Sequence, residues 1–224
     1  MRGVRENIEA VRERMARACG RTGRNAEDVT LIAVTKTVAA EKIREAVEAG
    51  IRDIGENYVQ EAHGKIEAIG TGDVRWHMIG HIQSNKVKYI PRFFDWVHTI
   101  DRLEILESLD RYGKPMKILF EVNLAGEATK TGTDIPGLRK LLEKASSLKS
   151  LKPAGLMTMP PYTDDPEESR IYFRKLRSAL SDMNAEFGLG MRELSMGMSS
   201  DFEIAIEEGA TMVRIGTALF GERI

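Results

Sequence analysis

The chain has a single cysteine, Cys19, so it forms no internal disulfide, and this fits a reducing, cytoplasmic setting. It has almost no net charge: 33 Lys and Arg stand against 34 Asp and Glu, a balance of −1. Bulk electrostatics therefore draw it neither to nucleic acid nor to an anionic lipid surface. No stretch approaches the roughly 18 apolar residues that cross a bilayer. Low-complexity segments and linkers long enough to separate domains are missing, and no G-x-G-x-x-G follows the first apolar run. These absences exclude a disulfide scaffold, a membrane-spanning helix and a disordered chain. What remains is 224 residues of ordinary globular composition, 42% hydrophobic and 30% charged, read here as one domain over 1–224.

Val4, Ile8, Val11 and Met15 fall at helical spacing near the N-terminus. The same segment has seven arginines (Arg2, Arg5, Arg12, Arg14, Arg17, Arg21 and Arg24) against Glu6, Glu9 and Glu13. A transit peptide is Arg-rich but poor in acids, and a secretory signal needs an apolar core. The expectation is a helix packed on the main body of the protein.

Downstream, short apolar β-branched runs alternate with longer charged stretches of helical period. The strands are expected at 31–36, 53–55, 74–79, 96–100, 117–123, 154–159, 193–196 and 212–216. Helices follow at 40–49 (stopped by Gly50), 58–69, 86–90 (closed by Pro91), 103–112, 138–148, 167–187 and 202–208, with a last turn at the end. Strands alternating with helices imply a parallel sheet with right-handed crossovers. Eight such units in this length predict an α/β fold, a closed (β/α)8 barrel with an extra N-terminal helix; a doubly wound open sheet is the rival. In a barrel, chemistry gathers at the C-terminal ends of the strands.

Lys36 closes the first run and shares a face with Ile32 and Val34. It is either a rim lysine reaching solvent or a desolvated amine able to form a Schiff base with an aldehyde. Arg214 lies inside the apolar run 212–216 and needs an acceptor, an internal carboxylate or a ligand atom such as a pyridine nitrogen. The loops Gly197-Met198-Ser199-Ser200-Asp201 and Gly216-Thr217-Ala218 each offer small residues, hydroxyls and N–H groups before a helix, which suits a phosphate. Against that, Ser200 with Glu203 reads as a capping box, and Asp201 repels an anion. Asn57, His77, His81 and Asn123 also fall at strand ends. His77, His81 and Glu121 contain no helical i, i+4 pair, and no metal site is expected. Met157, Met159 and Pro160 either wall a flat ligand or belong to the core.

Several strings, in order along the chain, resemble one family: 32–36 (IAVTK), 55–58 (GENY), 76–86 (WHMIGHIQSNK), 155–159 (GLMTM), 195–201 (SMGMSSD) and 213–217 (VRIGT). It is the pyridoxal-phosphate homeostasis protein family, related to the N-terminal domain of alanine racemase, the fold-type III group. The resemblance implies that Lys36 carries pyridoxal 5'-phosphate as an internal aldimine and that Arg214 faces the pyridine nitrogen. It further implies that Ser199, Ser200, Gly216 and Thr217 hold the phosphate, with Asn57 nearby. Val34, His77, Asn123 and Met157 are candidates for lining the pocket.

Two function classes then compete: a cofactor-binding regulator or carrier, and an amino-acid racemase. Alanine racemases carry a second, β-rich domain with a catalytic tyrosine, whereas this sequence stops at Ile224. A guanidinium does not hand its proton to the ring nitrogen, so the ring is a poor electron sink. The expectation is a monomer that holds the cofactor without a committed reaction and serves apo-enzymes that need it. A class I aldolase on the same barrel is a third reading, for which the first strand is an unusual place to carry the lysine.

Overall fold

A computed structural model describes residues 3–70, 72, 74–127 and 130–222; Arg2, counted above with the arginines of the first helix, lies outside them. Eight parallel strands close on themselves in chain order. They are β1 (Thr30–Val34), β2 (Asp53–Glu56), β3 (Arg75–Met78), β4 (Trp96–Ile100), β5 (Met116–Glu121), β6 (Leu151–Met157), β7 (Glu193–Ser195) and β8 (Met212–Ile215). The helices are α1 (Val4–Arg21), α2 (Ala40–Glu48), α3 (Val59–Ile69), α4 (Ile90–Phe93), α5 (Leu103–Asp110), α6 (Ile135–Ala145), α7 (Arg170–Phe187), α8 (Phe202–Glu207) and α9 (Thr217–Phe220). Closure is seen at Ile32, which pairs with Asp53 on one side and Arg214 on the other. The open-sheet alternative is thereby excluded.

Side chains alternate along each strand, and the two faces have different fates. Ala33, Ile54, Trp76, Val97, Phe120 and Val213 point outward into a continuous core shared with the helices. Ile32, Trp96, Leu119, Met157 and Met212 form a separate, much smaller apolar cluster inside the barrel. Much of the remaining interior is polar: Asp53, His77, His98, Ser195 and Arg214 are all buried.

The N-terminal helix packs as its spacing predicts. Val4, Ile8, Val11 and Met15 are buried, together with Ala18 and Cys19. Val4, Ile8, Val11 and Met15 each contribute about 1.5–3 kcal/mol relative to exposure. Arginines flanking the buried stripe find partners on α8: Arg14 pairs with Glu203 at 2.5 Å and Arg21 with Glu207 at 2.6 Å.

Several boundaries differ from the sequence reading. Pro91 does not close a helix; a 3-10 turn over Ser84–Tyr89 runs into α4, and Pro91 lies in its first turn. Proline suits that place because a first-turn N–H has no intrahelical acceptor to lose. For the same reason α6 starts at Ile135 rather than 138, with Pro136 in the first turn and the Asp134 carboxylate accepting from Gly137 N at 2.8 Å. Strand β6 begins at Leu151 and ends at Met157, with Pro153 beside a register shift against β5.

Candidate functional site

Strand β1 ends at Val34, so Lys36 lies in the turn beyond it, not on the strand. That turn is held by a buried ion cluster. Lys65, on α3, donates to the Thr35 carbonyl and lies 2.6 Å from both Glu56 and Glu61. The Thr35 hydroxyl donates to Glu56, and Thr37 N donates to Glu61 at 2.5 Å. Burial raises the proton affinity of Glu56, against the hydrogen bonds from Lys65 and Thr35. Thr37 has φ 62, the one described non-glycine residue with positive φ. A β-branched residue in the left-handed region costs on the order of 1–3 kcal/mol and persists only where its surroundings hold it. Here the Glu61 carboxylate and the Lys65 ammonium hold the peptide groups on either side of Lys36.

Arg214 is buried at 4% exposure, and no carboxylate among the described residues is hydrogen-bonded to it. Its acceptors are neutral: the Ser195 hydroxyl at 2.7 Å and the Thr158 carbonyl at 3.0 Å. Behind it a hydrogen-bonded chain crosses the barrel. Ser195 Oγ meets His98 Nδ1, His98 Nε2 meets His77 Nδ1, and His77 Nε2 meets Asp53, each at 2.9 Å. Arg75 closes the far end with two bonds to Asp53, at 2.6 and 2.7 Å. An ionised carboxylate only accepts and a guanidinium only donates, so every proton in the chain points from Arg214 toward Asp53. Both imidazoles are then neutral. Burial pushes His77 below the ordinary histidine range and His98 well below it. Burial raises Asp53, but the hydrogen bonds from His77 and Arg75 outweigh it and bring the carboxyl below its usual value. Burial lowers Arg214 to about 10, which leaves it charged at neutral pH.

The loops after β7 and β8 are tied together, with Ala218 N donating to Ser199 Oγ at 3.2 Å. Gly197 has φ 90, and a Cβ there would stand 2.5 Å from the Ala205 Cβ, so only glycine brings this loop onto α8. The expected capping box is absent. Asp201, not Ser200, stands at the N-cap of α8, without a side-chain bond to the helix, and Glu203 is committed to Arg14 and Arg21. The buried Asp201 carboxylate accepts from Met198 N at 2.7 Å. The Ser199 and Ser200 N–H groups make no hydrogen bond to described residues.

A cavity of about 460 Å³ opens at the C-terminal ends of the strands. It brings together Val34, Lys36 and Asn57 with Arg214, and adds Ser199, Ser200, Gly216 and Thr217 from the two loops. Gly80 lets the chain after β3 lie on Asn57, because a Cβ there would stand 2.3 Å from the Asn57 carbonyl oxygen. Three candidates fall elsewhere. His77 is inside the barrel, bonded to Asp53 and His98. Met157 belongs to the interior apolar cluster, and Met159 lines the cavity in its place. The Asn123 amide closes its own loop, accepting from Gly126 N at 3.0 Å and donating to the Glu127 carbonyl at 2.9 Å. Sequence reasoning missed His98 and Ser195 behind Arg214, and it considered Glu121 only as a metal ligand. The strand period did point to Glu121, which shares the inward face with Leu119.

The cavity thus combines a primary amine, a charged guanidinium whose acceptors among the described residues are neutral, and two loops rich in hydroxyls and N–H groups. Such a set suits an aldehyde on a flat ring with an acceptor atom and an anionic group.

The profile of the family described as "Alanine racemase, N-terminal domain" matches residues 4–224. The pyridoxal phosphate homeostasis protein of Aquifex aeolicus is 45% identical over 222 residues, covering 97% of both chains. Its counterpart from Pseudomonas aeruginosa is 44% identical over 227 residues, covering 100% of this chain and 97% of the relative. Among solved structures, PipY of Synechococcus elongatus PCC7942 with PLP bound superposes with a TM-score of 0.86. It is 36% identical and covers 97% of this chain and 100% of PipY.

Proposed function

The chain belongs to the alanine racemase N-terminal domain family and, within it, to the pyridoxal phosphate homeostasis proteins, and on that footing we propose that its mouth cavity binds pyridoxal 5'-phosphate at Lys36 and serves the intracellular supply of this cofactor. When bound, the cofactor supplies an aldehyde that condenses reversibly with amines. Lys36 supplies the amine, and the Lys65 cluster fixes the turn that presents it. Arg214 would donate to the ring nitrogen, and because burial leaves it charged at neutral pH it would hold that nitrogen without giving it a proton. Ser199, Ser200, Gly216 and Thr217, with Asn57 and Val34, line the same cavity, and the first four would hold the phosphate with Asn57 nearby.

The observation that carries this reading is Arg214, a buried guanidinium served by neutral acceptors in the same cavity as Lys36. An uncharged ring acceptor fits that guanidinium without a clash of charge. We read the barrel and its leading helix as one binding unit that acts as a monomer in the cytoplasm, commits to no reaction of its own, and passes cofactor to apo-enzymes. The curated relatives cited above are named as homeostasis proteins rather than as enzymes, which agrees with this.

The test is an absorbance titration of the apo-protein with pyridoxal 5'-phosphate. The wild type develops a visible band at one equivalent, and Lys36→Ala does not. A band of equal height and stoichiometry in Lys36→Ala would overturn the assignment.

A further inference from the structure

Glu121 ends β5, which stands diametrically across the closed barrel from β1 and the turn that carries Lys36. Its side chain is 2% exposed and lines the mouth cavity. One carboxyl oxygen, Oε1, accepts from the Thr131 hydroxyl at 2.6 Å. The other, Oε2, is buried with no hydrogen-bond partner among the described residues. Buried carboxyl oxygens are nearly always satisfied, so an unsatisfied one on a side chain that lines a cavity marks a place for a ligand atom. The other buried carboxyl oxygen in this condition, on Glu56, lies outside the cavity in the Lys65 cluster. Among the described residues that line the cavity, Glu121 is the one carboxyl.

We infer that Glu121 is the proton acceptor for a primary amine entering the mouth, and that its free Oε2 marks the subsite of that amine. This rests on the binding of pyridoxal phosphate proposed above. A primary amine reaches the protein as an ammonium ion, which has no lone pair with which to attack. Its proton passes to Glu121 Oε2, and the freed lone pair forms the new carbon–nitrogen bond. A second proton moves from the incoming nitrogen to the Lys36 nitrogen, the bond from that carbon to the Lys36 nitrogen breaks, and the freed Lys36 amine takes up the proton that Glu121 gives back. Atoms and charge balance, and no oxidant or further reactant is needed. Alone in the cavity, Lys36 holds the cofactor; with Glu121 across from it, the protein exchanges that hold for an amino compound and so has a route of release.

The surroundings of Glu121 suit a base. Burial raises its proton affinity above that of an ordinary glutamate, against the Thr131 hydrogen bond, and the Asp101 carboxylate adds to the rise. The Arg214 charge works in the opposite direction and keeps the carboxylate accessible. Lys36 and His81 are the other titratable groups lining this cavity, and His81 stands 3.8 Å from Asp101.

The experiment mixes the loaded protein with L-alanine or methylamine and follows the visible absorbance per loaded site across pH. General-base assistance is worth about a hundredfold or more, so Glu121→Gln should react about a hundredfold more slowly and lose the limb of the pH profile that rises as Glu121 deprotonates. Acetate or formate should restore part of the rate to Glu121→Ala. Independently of loading, the ¹³C carboxyl resonance missing from Glu121→Gln should titrate above the ordinary glutamate range in apo-protein, and it should shift with methylammonium chloride but not with potassium chloride. A Glu121→Gln variant that reacts at the wild-type rate with an unchanged pH profile overturns the inference. So does a carboxyl resonance that ignores methylammonium. If the wild type forms no adduct at Lys36, the binding reading fails instead, and the resonance still decides the role of Glu121.

Discussion

Arg214 and Lys36 were legible in the sequence because a charge inside or just beyond an apolar run must find a partner or a use. What stands behind Arg214 was not legible. His98 and Ser195 meet across 97 residues of sequence, and only barrel closure puts β4, β7 and β8 around one interior. A lone histidine in a strand gives no sign of which ring nitrogen is protonated or by what. The neutral state of His98 has a consequence for stability. Its native pKa lies well below that of the unfolded chain, so the unfolded state binds more protons as the pH drops. The stability it contributes is fully present above about pH 6.5 and is lost below it, at up to about 1.4 kcal/mol per pH unit. Urea unfolding at about pH 7 and about pH 5.5 should show this loss in the wild type. His98→Gln, which cannot titrate, should lose less over the same interval. An equal loss in both proteins would show that His98 is protonated in the native state.

The order of strands and helices was readable from alternating period, and the departures came from short-range chemistry. Pro91 and Pro136 both sit in first turns, where proline starts a helix, while Ser200 and Glu203 match a capping box whose acid is drawn away to Arg14 and Arg21. The Thr35–Thr37 turn was opaque for a different reason: nothing in Thr37 announces a positive φ, and the residues that enforce it, Glu61 and Lys65, come from α3. The turn itself can be tested. Glu61→Ala frees the Thr37 N–H and lets the strained backbone relax, which moves Lys36. A hydrogen bond to a charged group is worth about 1.5–3 kcal/mol, so affinity for pyridoxal 5'-phosphate should fall about tenfold or more. Adding Thr37→Gly should recover most of it, because glycine keeps a positive φ without strain. A double variant no better than Glu61→Ala would show that backbone strain at Thr37 has no bearing on Lys36.

Taken whole, the molecule is an eight-stranded barrel whose interior is apolar in one small cluster and polar along one line, from Arg75 and Asp53 near the N-terminal ends of the strands to Arg214 at the mouth. Closure makes β1 and β8 neighbours and so brings Lys36 and Arg214 into one cavity, although 178 positions separate them in the chain. Repetition of strand and helix foretold that closure, and the motif strings contain Lys36, Asn57, Ser199, Ser200, Arg214, Gly216 and Thr217, which line the mouth, but not Thr99, Glu121 and Thr131, which line it too. Depth was not foretold: His77 and Met157 share the inward period with true lining residues but lie lower in the barrel. The central claim is that Lys36 is the point of covalent attachment. The most direct measurement reduces the protein loaded with pyridoxal 5'-phosphate with borohydride, digests it, and locates the pyridoxyl mass by peptide sequencing. The account predicts one pyridoxyl group per chain, on Lys36. Full labelling of Lys65 or Lys86 with Lys36 unmodified would contradict it.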